Sequence, residues 1–219
     1  VTDPARPSGP APAPGAAAAG QQAGLLADVL ADREARSARR AELAARWASS
    51  GRPVAVVQLS LAAPGPVKSD AEIQLAVSLG ARSWEDRAAA LGLPLLHSEA
   101  REGASGPCRL WVVDADARET KSLIIGLEEG SSLGRLWDFD VYDESARHVG
   151  RETLGAPARR CYLCGEAAAV CAGRRVHALD AVERRFRELL RAGIADRNAR
   201  SLGSGAGSEA GEGRPADAP

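Results

Sequence analysis

The sequence predicts an α/β domain, with α+β as the looser description: a single domain built as one mixed sheet with helices packed on it. Three observations carry this. Val54–Leu61, VAVVQLSL, is a near-continuous β-branched and apolar run, the composition of a strand buried on both faces. Two further apolar runs, from Arg109 and from Leu136 to Val141, have strand character. Between and around these runs the apolar period switches to that of helices.

The helical stretches follow from spacing. From about Gln22 to Ser49, Leu26 and Leu30 begin an apolar stripe that Leu43 and Trp47 resume, and Gly51 and Pro53 close it. Ser69 or Asp70 can cap a second helix lined by Ile73, Val77, Trp84 and Leu91. A third spans about Ala117 to Glu129, packs Leu123, Ile124 and Leu127 inward and stops at Gly130. The last, about Ala178 to Ile194, turns Leu179, Val182, Phe186 and Leu190 to one face and reads as a lid on the core. Leu93–His97 is a short strand with His97 at a surface or edge, and YDESARHVGR after Val141 is a turn and a return strand. Residues 1–20 and 199–219, rich in Pro, Ala, Gly and Ser, lack the apolar surface to offset ordering entropy and are expected to be disordered tails around a folded unit at 21–198.

Composition narrows the function. With 219 residues, 45% hydrophobic and 26% charged, the chain is long enough for one good core. A net charge of -1 gives no reason to expect nucleic acid, and no apolar run is long enough for a bilayer, so neither nucleic acid nor a membrane is expected as a partner. Four cysteines, three of them clustered, fit a reducing cytoplasmic compartment.

The chemistry centres on SSLGRLWDFDV, Ser131–Val141. On a strand, Asp138 and Asp140 leave from one side and Trp137, Phe139 and Val141 from the other. One face can bury while the other holds a cation, and two hard carboxylates suit Mg²⁺ shared with substrate phosphates. The bland alternative is a solvated strand edge. Asp114 and Asp116 form a second pair, which helix capping explains without chemistry.

Other groups keep two readings. Arg33, Arg36 and Arg40 lie on neighbouring turns of one helix face, either a solvated face or a docking stripe for an acidic protein or phosphate. Lys68, in a Gly-Pro loop before a helix N-terminus, marks an anion site or a rigid turn. Cys161-x2-Cys164-x6-Cys171-x5-His177 has the donor count for tetrahedral Zn²⁺, although free cysteines are commonly small buried hydrophobes. Arg159, Arg160, Arg174 and Arg175 flank it as the densest positive patch and would complement a polyphosphate if folded against the aspartates.

LGRLWDFDV, RRCYLC and AAVCAGRRVH, with DREAR near the start and APGPVK after the first strand, closely resemble the apo-citrate lyase phosphoribosyl-dephospho-CoA transferase family, also called holo-citrate lyase synthase, in the same order from about Leu25 to Leu190. The resemblance implies a nucleotidyltransferase that attaches the 2'-(5''-phosphoribosyl)-3'-dephospho-CoA group to a serine of the citrate lyase acyl carrier protein, its gamma subunit. It implies triphosphoribosyl-dephospho-CoA as donor and pyrophosphate as product. Mg²⁺ then sits on Asp138 and Asp140, either of which can be the base, with Lys68, Gly134, Arg135 and the four arginines on the substrate. Arg33, Arg36 and Arg40 become the carrier-docking face. The strand is also similar to the Asp-x-Asp strand of polymerase-β-type nucleotidyltransferases, but their Gly-Ser pair lies on a helix well upstream, whereas here Gly134 is a few residues away and Ser131 and Ser132 are in a loop. Asp114 is the candidate third carboxylate. The reading from another class is a non-catalytic, zinc-stabilised protein-interaction module.

Overall fold

A computed structural model describes the backbone of residues 14–49 and 51–204 and the side chains of 23–49 and 51–200. The elements run α1 Pro14–Ala48, β1 Ala55–Leu61, α2 Ala71–Ala90, β2 Leu95–Arg101, β3 Cys108–Val113, α3 Ala117–Glu129, β4 Trp137–Tyr142, β5 His148–Val149, α4 Ala168–Arg174 and α5 Leu179–Ser204. Residues 1–13 and 205–219 of the expected tails lie outside the described residues. The adjoining 14–20 and 199–204 are helical, contrary to expectation: alanine is the best helix former, and Pro14 fits a first helical turn.

The α/β class holds, but the sheet is not mixed. Its order is β2-β3-β1-β4-β5, and every pairing is antiparallel. Strands alternating with helices suggest parallel neighbours, yet here β1-α2-β2 and β3-α3-β4 interleave, so each crossover skips one strand and the neighbours run opposite ways. This is the split β-α-β-β-α-β arrangement.

The two faces of the sheet are covered unequally. On one, Val57, Leu59, Trp111, Val113, Trp137, Phe139 and Val141 pack against α2, α3 and α5 through Ile73, Trp84, Ile124, Phe186 and Leu190. Fully burying a side chain of this size stabilises by roughly 1.5–3 kcal/mol. Gly80 lets α2 come close, because a Cβ there would lie 2.8 Å from Trp137 Nε1 and 2.9 Å from Leu59 Cδ2. The Trp137 indole then donates to the Ala76 carbonyl at 2.9 Å.

On the other face, Val56, Leu110 and Val112 meet Leu43, Ala44 and Val54 under α1. This cover lies over β1 and β3. The same face of β4 carries Asp138, Asp140 and Tyr142, all half-buried, so the edge of the α1 layer leaves a groove above them. Leu26 and Leu30, expected to start the buried stripe of α1, are exposed; the helix meets the core through Val29, Arg36 and Leu43.

Candidate active site

The aspartates stand where strand alternation puts them. Asp138 pairs in register with Ser60 and Asp140 with Gln58, so β1 and β4 together floor the groove. The groove is a cleft of about 330 Å³ that also takes in Arg33, Arg36 and Arg40 from α1, Lys68 from the β1–α2 loop, and Tyr142. Helix α1 thus supplies a cationic wall to a carboxylate floor.

Each wall residue has a defined partner. Arg36 is buried; it pairs with Asp32 at 2.8 Å and donates to the Gly106 carbonyl. Asp32 also accepts from the Ser105 backbone N–H at 3.0 Å, tying α1 to the β2–β3 loop. Arg40 donates to Gln58 Oε1 at 2.7 Å and stacks 4.5 Å from the Tyr142 ring centroid. Lys68 donates to the Ala63 carbonyl at 2.6 Å, and burial together with the charge of Arg33 lowers its pKa. The three arginines proposed as a docking face line the cleft, where Arg36 is buried on Asp32 and Gly106 while Arg33 stays exposed.

The carboxylates are held from both sides. Arg159 Nη1 lies 3.3 Å from Asp138, and His148 Nε2 lies 3.3 Å from Asp140. Burial, then the charge of Asp140, raises the pKa of Asp138, while the bond to Asp140 raises that of His148. Burial pushes the Tyr142 phenol up to about 12, helped by Asp140. A divalent cation would relieve the repulsion that keeps Asp138 protonatable, and carboxylate oxygens are the donors Mg²⁺ takes, so these residues fit that ion.

The edge of β4 is capped by side chains, because β5 pairs only with Val141 and Tyr142. Buried Lys121 donates to the Phe139 carbonyl at 2.7 Å, and Arg159 donates to the Trp137 carbonyl at 2.7 Å. Behind them Glu128 is buried between Arg159 and Arg151, the latter at 2.7 Å.

Gly134, Arg135, Arg159 and Arg160 gather at a second cavity of about 700 Å³, which Glu128 and Cys164 also line. Arg135 donates to the Cys161 carbonyl at 2.9 Å. Arg174 and Arg175 join neither cavity; both are exposed at the end of α4. Asp114 pairs instead with Arg52 at the far end of β3, so no third carboxylate comes from there. The α2 N-terminus is not open to an anion beside Lys68, since Asp70 caps it by accepting from Ile73 N–H at 2.9 Å and pairs with Arg187 at 2.6 Å. Tyr142, Gln58, Ser60, Lys121, Glu128 and His148 were not singled out from the sequence. Only Tyr142 had a signal, as the next residue on the Asp138–Asp140 face.

The second constellation closes as its spacing suggested. The donor atoms of Cys161, Cys164, Cys171 and His177 all lie within 4.8 Å of one another. Cys164 Sγ is 3.5 Å from Cys171 Sγ and 3.3 Å from His177 Nε2. A hairpin makes the turn, with Cys161 N–H donating to the Glu166 carbonyl and Ala168 N–H to the Arg159 carbonyl, each at 2.8 Å. Against burial, the Leu163 and Cys164 N–H groups hold the Cys161 thiol down to about 6, whereas burial and its sulfur neighbours push Cys171 up to about 12. These four residues could hold a metal ion.

Fold and cleft together define an α/β protein with paired carboxylates facing a cation-lined pocket. A profile of the family described as apo-citrate lyase phosphoribosyl-dephospho-CoA transferase matches residues 25–193. Proteins of that name from Shigella boydii serotype 18, Escherichia coli O157:H7 and Shigella sonnei are 33% identical over 165 residues, covering 75% of this chain and 87% of theirs. The chain belongs to this family, and the interaction-module alternative is not favoured. No helix among the described residues is long and apolar enough to cross a membrane.

Proposed function

We propose that this protein is a nucleotidyltransferase that attaches the phosphoribosyl-dephospho-CoA group to a serine of the acyl carrier (gamma) subunit of apo-citrate lyase, using triphosphoribosyl-dephospho-CoA and releasing pyrophosphate. The observation that carries the reading is that Asp138 and Asp140 open into the same cleft as Arg33, Arg40 and Lys68. A polyphosphate needs that pairing of a cation-binding floor with a cationic wall.

In this mechanism the serine oxygen forms a bond to the α-phosphorus as the bond from that phosphorus to the pyrophosphate oxygen breaks. Asp138 or Asp140, both facing the cleft, accepts the serine proton. Arg33, Arg40 and Lys68 steady the charge that builds on the departing pyrophosphate. Mg²⁺, held by Asp138 and Asp140, supplies neutralisation of phosphate charge when bound. Arg159, bonded to Asp138 and to the strand backbone, keeps the carboxylate aimed. The Cys161, Cys164, Cys171 and His177 donor set suits a structural zinc, with three sulfurs and one imidazole. Reduced thiols of this kind belong to the cytoplasm.

The test is transfer of labelled precursor to purified apo-citrate lyase by the wild type, Asp138→Asn and Asp140→Asn. Both substitutions should lower transfer by roughly 100-fold or more, and pyrophosphate release should require Mg²⁺ and the acceptor together. Full activity in either variant removes the proposed mechanism.

A further inference from the structure

The α1 arginines line the cleft that holds Asp138 and Asp140, and a separate exposed surface stands beside that cleft. We infer that apo-citrate lyase docks on the knob formed by the Cys/His cluster, against Leu163, Val170, Val176 and Leu179 with Arg174 and Arg175 at the rim; this rests on the transfer reaction proposed above.

Four observations converge there. Leu163, Val170, Val176 and Leu179 are between 40% and 56% exposed. The first three each adjoin a cluster residue in sequence, Cys164, Cys171 and His177, whose donor atoms sit within 4.8 Å of one another. Apolar side chains rooted around one point form a patch rather than scattered surface residues, and such patches on a soluble protein mark contact sites.

The rim is charged in one sense. Residues 159–178 carry four arginines and one acid, Glu166. Arg159 and Arg160 are engaged, with Asp138 and with the Gly165 carbonyl. Among the described residues neither the Arg174 nor the Arg175 guanidinium has a hydrogen-bond or ion-pair partner, although the Arg175 backbone N–H caps α4. Arg175 also holds φ 49° and ψ 46°, the left-handed region where an L side chain other than Asn or Asp is uncommon. Two free guanidiniums beside an apolar centre complement a partner surface that is apolar in its middle and acidic around it.

The knob is also next to the chemistry. Its hairpin begins at Arg159, which contacts Asp138 at 3.3 Å. Tyr162 in the same loop donates to the Ala62 carbonyl at 3.3 Å, and Ala62 lines the carboxylate cleft. Leu163 and Cys164 line the second cavity together with Arg159. A polypeptide seated on the knob is therefore one side chain, Arg159, away from Asp138. The geometry commits the site to the acceptor protein and not to the nucleotide, whose phosphates have the cleft.

The experiment is steady-state transfer with Arg174→Glu/Arg175→Glu, varying purified apo-citrate lyase at saturating precursor and then the reverse. KM for apo-citrate lyase should rise about tenfold or more, as expected for reversing two rim charges. KM for the precursor and kcat should stay within about twofold, and the salt dependence of the acceptor KM should flatten. Arg174→Lys/Arg175→Lys, which keeps the charge, should behave as wild type. Val176→Ser should raise the acceptor KM without altering its salt dependence. An unchanged acceptor KM in the reversed variant overturns the docking site, as does a rise in the precursor KM instead. Absence of transfer by the wild type overturns the function itself and the docking site with it, a result that does not depend on any variant.

Discussion

Arg159 stands between Glu128 and Asp138, bonded to the first through Nη2 and 3.3 Å from the second through Nη1, which also donates to the Trp137 carbonyl at 2.7 Å. One guanidinium thus links the buried acid behind β4, the backbone of β4 and the carboxylate in front of it. A lysine can keep the charge but not three directed bonds from one planar group. Arg159→Lys should therefore lower kcat for transfer by about tenfold or more while costing under ~2 kcal/mol of stability. Rapid-quench transfer and urea unfolding measure the two. A variant that keeps kcat would free Asp138 from any need of this partner.

Gly134 packs where a side chain has no room. A Cβ there would lie 1.8 Å from the Glu128 carbonyl oxygen, a backbone atom that cannot rotate away. The loop before β4 and the C-terminal turn of α3 would have to separate, disturbing the Glu128–Arg159 pair as well. Gly134→Ala should destabilise the fold by about 2 kcal/mol or more, as overpacking does. Denaturant midpoints with an unchanged m-value check it. This gives Gly134 a packing role beside the substrate-binding role the sequence suggested.

Much of this was legible beforehand because it is periodic. The third helix was expected over Ala117–Glu129 and is α3 at those bounds; the shared side of Asp138 and Asp140 follows from the two-residue strand period. The Cys/His cluster was readable because its donors fall within one short segment. What stayed hidden depends on long-range register. That α1 reaches over β1 far enough to turn Arg33 and Arg40 onto the aspartates is set by packing of Leu43 and Ala44 on Val56, Leu110 and Val112. The antiparallel interleaving comes from pairings that no local pattern encodes. Lys121 and Glu128 were not singled out, since nothing in a single helix announces that its neighbour strand has unpaired carbonyls.

Glu99 gives the fold a measurable acid dependence. Hydrogen bonds from Arg39, opposed by burial and helped by His97, hold its carboxyl down to about 2. Arg39 is on α1 and Glu99 on β2, joined at 2.7 Å, so the pair clips the helix to the sheet. The unfolded chain protonates this group near pH ~4.3. Its stabilisation is complete above that value and disappears as pH falls from there through about 2. Glu99→Gln should be about 1 kcal/mol less stable than wild type at pH 7, with the gap closing to nothing near pH ~2. Parallel denaturant titrations across that range decide it, and a gap independent of pH would assign the effect to packing.

Cys164 is the hub of the Cys/His cluster, within 3.5 Å of Cys171 and 3.3 Å of His177. A Cys164→Ser change removes one sulfur from the middle of the donor set and leaves three groups that no longer enclose an ion. Because the knob consists of a hairpin and the seven-residue α4, with Cys171 as the one buried side chain of that helix, it has little apolar interior of its own. A metal held there would supply much of its folding free energy, as in small metal-stapled elements. The wild type should contain about one zinc per chain by elemental analysis, and Cys164→Ser should contain little. Chelation should lower the wild-type melting temperature and leave that of Cys164→Ser unmoved. The knob and the cleft should also separate in the assay: Cys164→Ser should raise the KM for apo-citrate lyase far more than the KM for the precursor, since Arg33, Arg40 and Lys68 belong to other elements. A zinc-free wild type whose melting temperature ignores chelator would leave the four residues as a reduced core, with the knob held by Cys171 packing and the hairpin bonds alone.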